Sequence, residues 1–415
     1  MSELINNGEQ RRDVLKALIG QLHDGKSVDE VKEEFQRTFG GVSASEIADV
    51  EQTLISEGMP VSEVQRLCDV HAAVFKGSIA EIHRAPLDAS SVPGHPVQLL
   101  KAENRALERL IDGSLLPHLE RWLDHGDPEA MPLLIGDLVR LAQVDIHFKK
   151  KENLLFPRIE KKGITAPPKV MWGVDDEIRG LVKEARLSVD GDPADLIRTK
   201  VELAVERIRE MIYKEENILL PMILEKLDEN EWKSIARESA EFGYCLLERI
   251  PQWSALVVAP ASSVPTAPTD GESAQPAHPP VFGTLVMPSG SLMPKEIVKI
   301  LDTLPLDMTF VDKDDKVKYF SQGRDRVFER TVSILGRDVA NCHPPQSVHV
   351  VERILDSFKS GEKDHEDFWI RMGPKFVYIR YFAVRSDGGE YLGTLEVTQD
   401  IGPIVALQGE KRLMG

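Results

Sequence analysis

Glu152 and Glu216 stand 64 residues apart, in near-copies of one heptapeptide. The copies are Lys151-Glu152-Asn153-Leu154-Leu155-Phe156-Pro157 and Glu215-Glu216-Asn217-Ile218-Leu219-Leu220-Pro221. Each sets a carboxylate within an apolar run of helical period, and His147 lies five residues before Glu152. Carboxylates and an imidazole aimed into a helical bundle form an oxygen-rich site suited to iron or manganese. Met211, Ile212, Ile218, Leu219 and Leu220 flank Glu216 and leave little of its helix to face water. A carboxylate buried without a partner is costly, so such a residue requires a metal, a cation or a proton. Two metal-free alternatives stand beside this reading. The repeat can serve packing alone, with both acids on a solvated face, or Lys151 can pair internally with a neighbouring carboxylate in place of a metal.

The elements that would position these residues are legible as stop and start signals. Four long helical patterns are expected, over 95–124, 128–162, 167–188 and 194–226, with a shorter helix near 229–249. Breakers separate them at Asp124–Pro128, at Lys162-Gly163 with Pro167-Pro168, and at Asp190–Pro193. Short connections between long helices predict an antiparallel four-helix bundle over 90–250. Upstream, residues 1–83 read as a separate all-α domain. Ser43 with Glu46 forms a capping box there, and Ser62 caps a further helix. Residues 259–280 contain six prolines among Ala, Ser and Thr. This marks a disordered linker over 256–290. Beyond it the period changes to that of strands. Met308–Asp312 and Val317–Phe320 come first, helices follow near 324–332 and 346–360, and then three strands, Asp367–Met372, Lys375–Val384 and Tyr391–Gln399. This order predicts a small antiparallel α+β domain over 291–405.

The chain has 415 residues, a formal net charge of −17, 42% hydrophobic residues and three widely spaced cysteines. That length calls for two or three domains. The negative charge argues against nucleic acid or an anionic membrane surface as partner. No CxxC pair is present, so a zinc ribbon or disulfide framework is not expected. The polar N-terminus and the lack of a long apolar run predict a cytoplasmic protein.

His147–Pro157 resembles the second-helix motif of hemerythrin-like (HHE) cation-binding domains, and Glu215–Pro221 resembles their fourth-helix motif. The resemblance implies a non-haem di-iron centre held by histidines and bridging carboxylates. Residues 47–75, including Glu57–Val61 and Arg66–Phe75, resemble the conserved-domain family of unknown function numbered 438, which occurs fused to HHE bundles and a PAS domain. Several departures matter. The usual second-helix spacing is His, three residues, Glu, but position 151 is Lys. Acids, Asp175-Asp176-Glu177, replace the third-helix histidine, and the fourth-helix histidine falls near Met211 or Ile212. The implied metal set is therefore His147, Glu152, Asp176 and Glu216, with His95 or Glu103 from the first helix. His95 precedes Pro96 at a helix start, where capping is the plainer role, and Asp175 and Asp176 could equally cap or face solvent. Such a carboxylate-rich set does not suit reversible O₂ carriage.

Residues 304–312 and 396–401 carry a resemblance to PAS domains, which implies a small-ligand pocket or a pairing surface. Cys342, His343 and His349 are candidate haem-iron ligands there, thiolate and imidazole being common axial donors. The plainer reading is a proline-stiffened loop. CxxCH is absent, which excludes covalently attached haem on this signal. Three functions follow. The first is a redox-, oxygen- or NO-responsive regulatory protein with an iron or manganese site, acting through a protein partner or a PAS homodimer. The second is a non-catalytic interaction protein with a degenerate bundle. The third, ranked last, is an enzyme: a di-iron oxidase, a peroxidase or an iron–sulfur repair factor.

Overall fold

The computed structural model describes residues 89–256 and 283–411, together with isolated positions before residue 60. The remainder of the region 1–83, including both caps predicted there, lies outside the described residues. The chain divides into two compact units near Val257.

In the first unit, the five predicted helices are present, several of them interrupted. The first rod is α1 (Pro96–Leu110), a π turn (Ile111–Leu115) and α2 (Leu116–Leu123). The second is α3 (Ala130–Leu141), α4 (Val144–Lys150), a π turn (Lys151–Leu155) and α5 (Phe156–Lys161). The third is the unbroken α6 (Ala166–Ser188). The fourth is α7 (Ala194–Lys214), a π turn (Glu215–Leu219) and α8 (Leu220–Lys226). The short α9 (Glu229–Phe242) follows, started by a capping box between Asp228 and Glu231. The apolar faces meet in one core that includes Leu107, Ile111, Phe148, Phe156, Ile178, Ile208 and Met222.

The three π turns share a cause. Proline follows each at the same place, at Pro117, Pro157 and Pro221. A helical proline offers no N–H, and its ring collides with the carbonyl four residues back. Widening the turn by one residue removes the collision. The preceding N–H groups, on Leu116, Phe156 and Leu220, donate five residues back, to Ile111, Lys151 and Glu215. The asparagine amides satisfy carbonyls at the loosened turns: Asn153 Nδ2 donates to Lys149 O and Asn217 Nδ2 to Tyr213 O, both at 2.8 Å. Proline–asparagine pairing in the two heptapeptides is thus a backbone instruction as well as a chemical motif.

The start of α6 is capped from a distant part of the chain. Thr165 makes no side-chain cap of its own. The side-chain oxygen of Gln52 accepts from Thr165 N at 3.0 Å, Thr165 Oγ1 at 2.9 Å and Ala166 N at 2.9 Å. These bonds satisfy donors that a helix otherwise leaves open.

The second unit begins with a hairpin, β1 (Leu285–Met287) and β2 (Gly290–Leu292), at the end of the stretch predicted as linker. The helix α10 (Pro294–Thr303) follows. The strands β3 (Asp307–Asp312), β4 (Val317–Phe320), β5 (His365–Met372), β6 (Lys375–Arg385) and β7 (Tyr391–Asp400) form one antiparallel sheet in the order β4-β3-β7-β6-β5. The helix α11 (Pro345–Ser360) precedes β5. The helix predicted near 324–332 does not form; only a short 3-10 turn, Val332–Ile334, is present. Asp307 explains this. Its carboxylate accepts from the backbone N–H groups of Val327 and Phe328 at 3.1 and 2.9 Å, which pulls the segment out of helical pairing. It also receives Arg330 Nη1 at 3.0 Å, while Arg330 Nη2 donates to Glu396 at 2.9 Å. Asp307 and Glu396 are both buried.

Replacing Arg330 with leucine removes the guanidinium that joins two buried carboxylates. The expected cost is about 3–5 kcal/mol of stability for this unit, the range seen when one partner of a buried ion pair is removed. Chemical denaturation read from the tyrosine and tryptophan signals measures it; a loss within error of zero contradicts the central role given to Arg330.

Candidate functional site

Midway along the bundle, three acids and three bases meet in the interior. They are Glu103 from α1, Asp175 from α6 and Glu215 from the π turn after α7, with His147 and Lys150 from α4 and Lys151 from the π turn after it. All six are buried. The His147 ring links two acids: Nδ1 lies 2.7 Å from Glu103 Oε2 and Nε2 lies 2.9 Å from Glu215 Oε2. Lys151 Nζ donates to Asp175 Oδ1 at 2.7 Å and to Glu215 Oε1 at 2.5 Å. Lys150 Nζ donates to Glu103 Oε1, which also accepts from the backbone N–H of Cys245 at 2.9 Å. Asn104 Nδ2 reaches Glu215 Oε2 at 3.2 Å.

Lys151 and Glu215 open their π turns and hold equivalent places in the two heptapeptides; both point into the cluster. The next residues, Glu152 and Glu216, point to the seams between rods. Arg179 on α6 clamps Glu152 with both terminal nitrogens, at 2.8 and 2.9 Å, and also binds Asp176 at 2.8 Å and Asp145 at 2.7 Å. Glu216 accepts from Arg105 at 2.6 Å and from Asn104 at 3.3 Å. His95 sits eight residues before Glu103, roughly 12 Å along the helix at 1.5 Å per residue. Its Nδ1 accepts from Val97 N at 3.2 Å, and its ring packs between Trp232 and Trp253, with centroids 5.0 and 4.7 Å away. Burial lowers its pKa to about 4, so it is a neutral cap. Gly94 makes that packing possible, because a Cβ there would run into the backbone of Pro251–Trp253.

Of the predicted metal set, the structure therefore brings together Glu103 and His147. It places Glu152, Asp176 and Glu216 against arginines and His95 at a helix start. Asp175, Glu215, Lys150 and Arg179 were not among the predicted site residues. A signal for Glu215 was present: aligning the heptapeptides pairs it with Lys151, and Lys151 stands four residues after His147, the inward spacing on a helix. In the second unit, Cys342 Sγ lies 3.5 Å from Asp338 O. His343 is held below its usual pKa by burial, with Glu396 opposing, and His349 is exposed on α11.

The electrostatics follow from burial set against partners. Burial works against the charged form of His147, yet Glu215 and Glu103 raise its pKa to about 9. Burial likewise opposes ionisation of Glu215 and Glu103, but Lys151 and His147 hold Glu215 well below the usual carboxylate range, and His147 and Lys150 hold Glu103 low. For Lys151, Asp175 and Glu215 overcome burial and raise the pKa; for Lys150, burial prevails over Glu103 and lowers it. Burial raises Asp175, against the pull of Lys151.

Three family descriptions match the chain in succession. Residues 15–81 match a family of unknown function (DUF438), residues 95–223 match the Hemerythrin HHE cation binding domain, and residues 297–402 match a PAS domain. The chain carries these modules in this order. Among solved structures, a C-terminal domain from Streptococcus mutans is 36% identical, covering 30% of this chain and 98% of that one at a TM-score of 0.29. A PAS domain from Colwellia psychrerythraea is 15% identical, covering 26% of this chain and 97% of that one at a TM-score of 0.22. A sensory box sensor histidine kinase from Vibrio cholerae is also 15% identical, covering 26% of this chain and 89% of that one at a TM-score of 0.20. The comparison with curated proteins found no match.

A cation-binding family raises the question of fit, and the residues present do not fit a metal ion. Among the described residues, no group of three or more His, Cys, Asp or Glu side chains is arranged to hold one. Metal ligation needs a neutral imidazole with an open nitrogen. Both nitrogens of His147 are engaged with carboxylates, which favour its charged form. The Lys151 ammonium lies between Asp175 and Glu215, and the Lys150 ammonium is paired with Glu103. The buried side-chain oxygens without a partner here are Asp175 Oδ2 and Asn104 Oδ1, too few for a coordination shell.

Stability should depend on pH in a predictable way. The raised pKa of His147 gives a contribution that is complete below its unfolded value of 6.5 and is lost as pH climbs to about 9. The lowered values of Glu103 and Glu215 give contributions present above 4.5 that are lost on acidification. Lys150 and Asp175 act in the opposite sense. Denaturation followed by helical circular dichroism from pH 6 to 10 should show a decline through about 9 in the wild type. In His147→Gln the same limb should be flatter; an unchanged limb refutes the assignment.

Proposed function

We propose that the chain is a regulatory protein of sensor type with no turnover of its own, in which an HHE-type bundle is joined to a PAS module that takes the input. One observation carries this reading: the acids that face the bundle interior are already matched by protein cations. An oxidase, a peroxidase or an iron–sulfur repair factor needs an open metal position and a path for its substrate. A bundle closed by ion pairs leaves no open metal position, and is suited to presenting a defined outer surface. The predicted response to oxygen, NO or redox state through bundle iron is the finer version of the sensor reading. It would need Lys150 and Lys151 displaced and His147 deprotonated before a metal could enter.

Support for input at the PAS module comes from its polar interior. Arg330 joins Asp307 to Glu396, and the sheet register sets Thr309 directly opposite Glu396. The buried hydroxyls of Thr309 and Thr331 have no hydrogen-bond partner. Unsatisfied buried hydroxyls beside an ion pair suit a small ligand with hydrogen-bonding groups better than an apolar one. Output through a partner protein or a second copy completes the proposal. Among the described residues, no helix is long and apolar enough to cross a membrane.

The full chain, incubated anaerobically with Fe(II) and then desalted, should consume O₂, hydrogen peroxide and NO no faster than buffer with the same residual iron. Turnover that disappears in Glu215→Gln, with helical content intact, would replace the regulatory reading with an enzymatic one.

A further inference from the structure

The two heptapeptides differ most at their first position, where one has an acid and the other a base. Lys151 and Glu215 are equivalent by sequence, occupy equivalent turns, and meet at 2.5 Å. The repeat therefore closes on itself. Two acids in those places would repel and draw in a cation from solution. One acid and one ammonium satisfy each other, and Asp175 takes the ammonium from the opposite rod at 2.7 Å.

We propose that Lys151 is a resident cation, whose ammonium, clasped between Asp175 and Glu215, supplies the positive charge that a metal ion would otherwise bring, so that this bundle folds and persists without metal. The inference deepens the metal-free reading above and rests on it. A charge count supports it. With the contacts taken as ion pairs, Glu103, Asp175 and Glu215 stand against His147, Lys150 and Lys151, three against three. A divalent ion added to this set would leave a net positive charge in a dry interior, where an uncompensated charge is strongly unfavourable. The space is also taken: Lys151 is among the largest fully buried side chains, and its ammonium lies over the Phe148 ring, 4.6 Å from the centroid. The same count says what one substitution would do. Lys151→Glu converts three against three into four acids against two bases, a deficit that one divalent ion restores, and it returns the spacing of His, three residues, Glu.

The test uses the full chain as wild type, Lys151→Met and Lys151→Glu, each incubated anaerobically with Mn(II) or Fe(II), dialysed and analysed for bound metal, with thermal unfolding followed in parallel. The wild type should retain only trace metal, and its melting temperature should be the same with and without Mn(II). Lys151→Met should melt below the wild type in metal-free buffer. Lys151→Glu should retain at least about tenfold more metal than the wild type and recover melting temperature when metal is added, as expected when an ion binds only the folded state. The proposal is overturned by wild type that retains metal near one equivalent per chain, by Lys151→Met that melts like wild type, or by a folded Lys151→Glu that retains no more metal than wild type. Should Lys151→Glu not fold, the melting of Lys151→Met decides. Wild type that holds metal yet consumes no O₂, peroxide or NO would sink this inference alone and leave the regulatory reading standing.

Discussion

An ammonium group in the middle of a helical bundle is tolerable only if carboxylates reach it from more than one side. Lys151 has two, Asp175 and Glu215, on different rods. Of the two, Asp175 leaves its second oxygen without a partner, while Glu215 engages both of its own. Glu215 connects onward to His147 and Asn104, and His147 to Glu103, which ends on Lys150 and the Cys245 N–H. The chain of obligations crosses all the rods of the bundle. Buried ion pairs of this kind contribute little net stability over an apolar core of equal volume, but removing one member is severe. What they add is register, since no rod can slide by a turn without stranding a charge.

Three prolines make that register possible. A plain α-helix through either heptapeptide would leave the ring of Pro157 or Pro221 against a carbonyl, and a kink would misplace everything after it. The single-residue widening removes that collision and shifts the phase of the side chains that follow. Consecutive residues at the start of each turn meet different partners: Glu215 goes to the interior and Glu216 to Arg105, while Lys151 goes inward and Glu152 to Arg179.

Helix limits, the change of period after the proline-rich stretch and the five-stranded sheet were readable because each rests on local rules: caps, breakers and alternation. The site was readable only to within one residue. The heptapeptides, His147 and Glu103 were visible, as was the alternative of an internal Lys151 pair. The choice between neighbouring positions was missed because an acid was sought: ordinary helical spacing from His147 leads to Lys151, a base, and the nearest acid, Glu152, lies one place further on. Arg179 was hidden for another reason. A clamp between rods depends on how the rods are rotated, which no pattern along one rod reveals. The missing helix near 324–332 is of the same kind, since Asp307 overrides local preference from about twenty residues away.

Gln52 shows how far such reach extends. One amide oxygen, 113 residues upstream of Thr165, finishes the helix that delivers Asp175 and Arg179. The rod with no widened turn of its own thus depends on a borrowed end-piece. Without those bonds, the backbone N–H groups of Thr165 and Ala166 would have to find other partners, and the first turn of that rod would lose its cap.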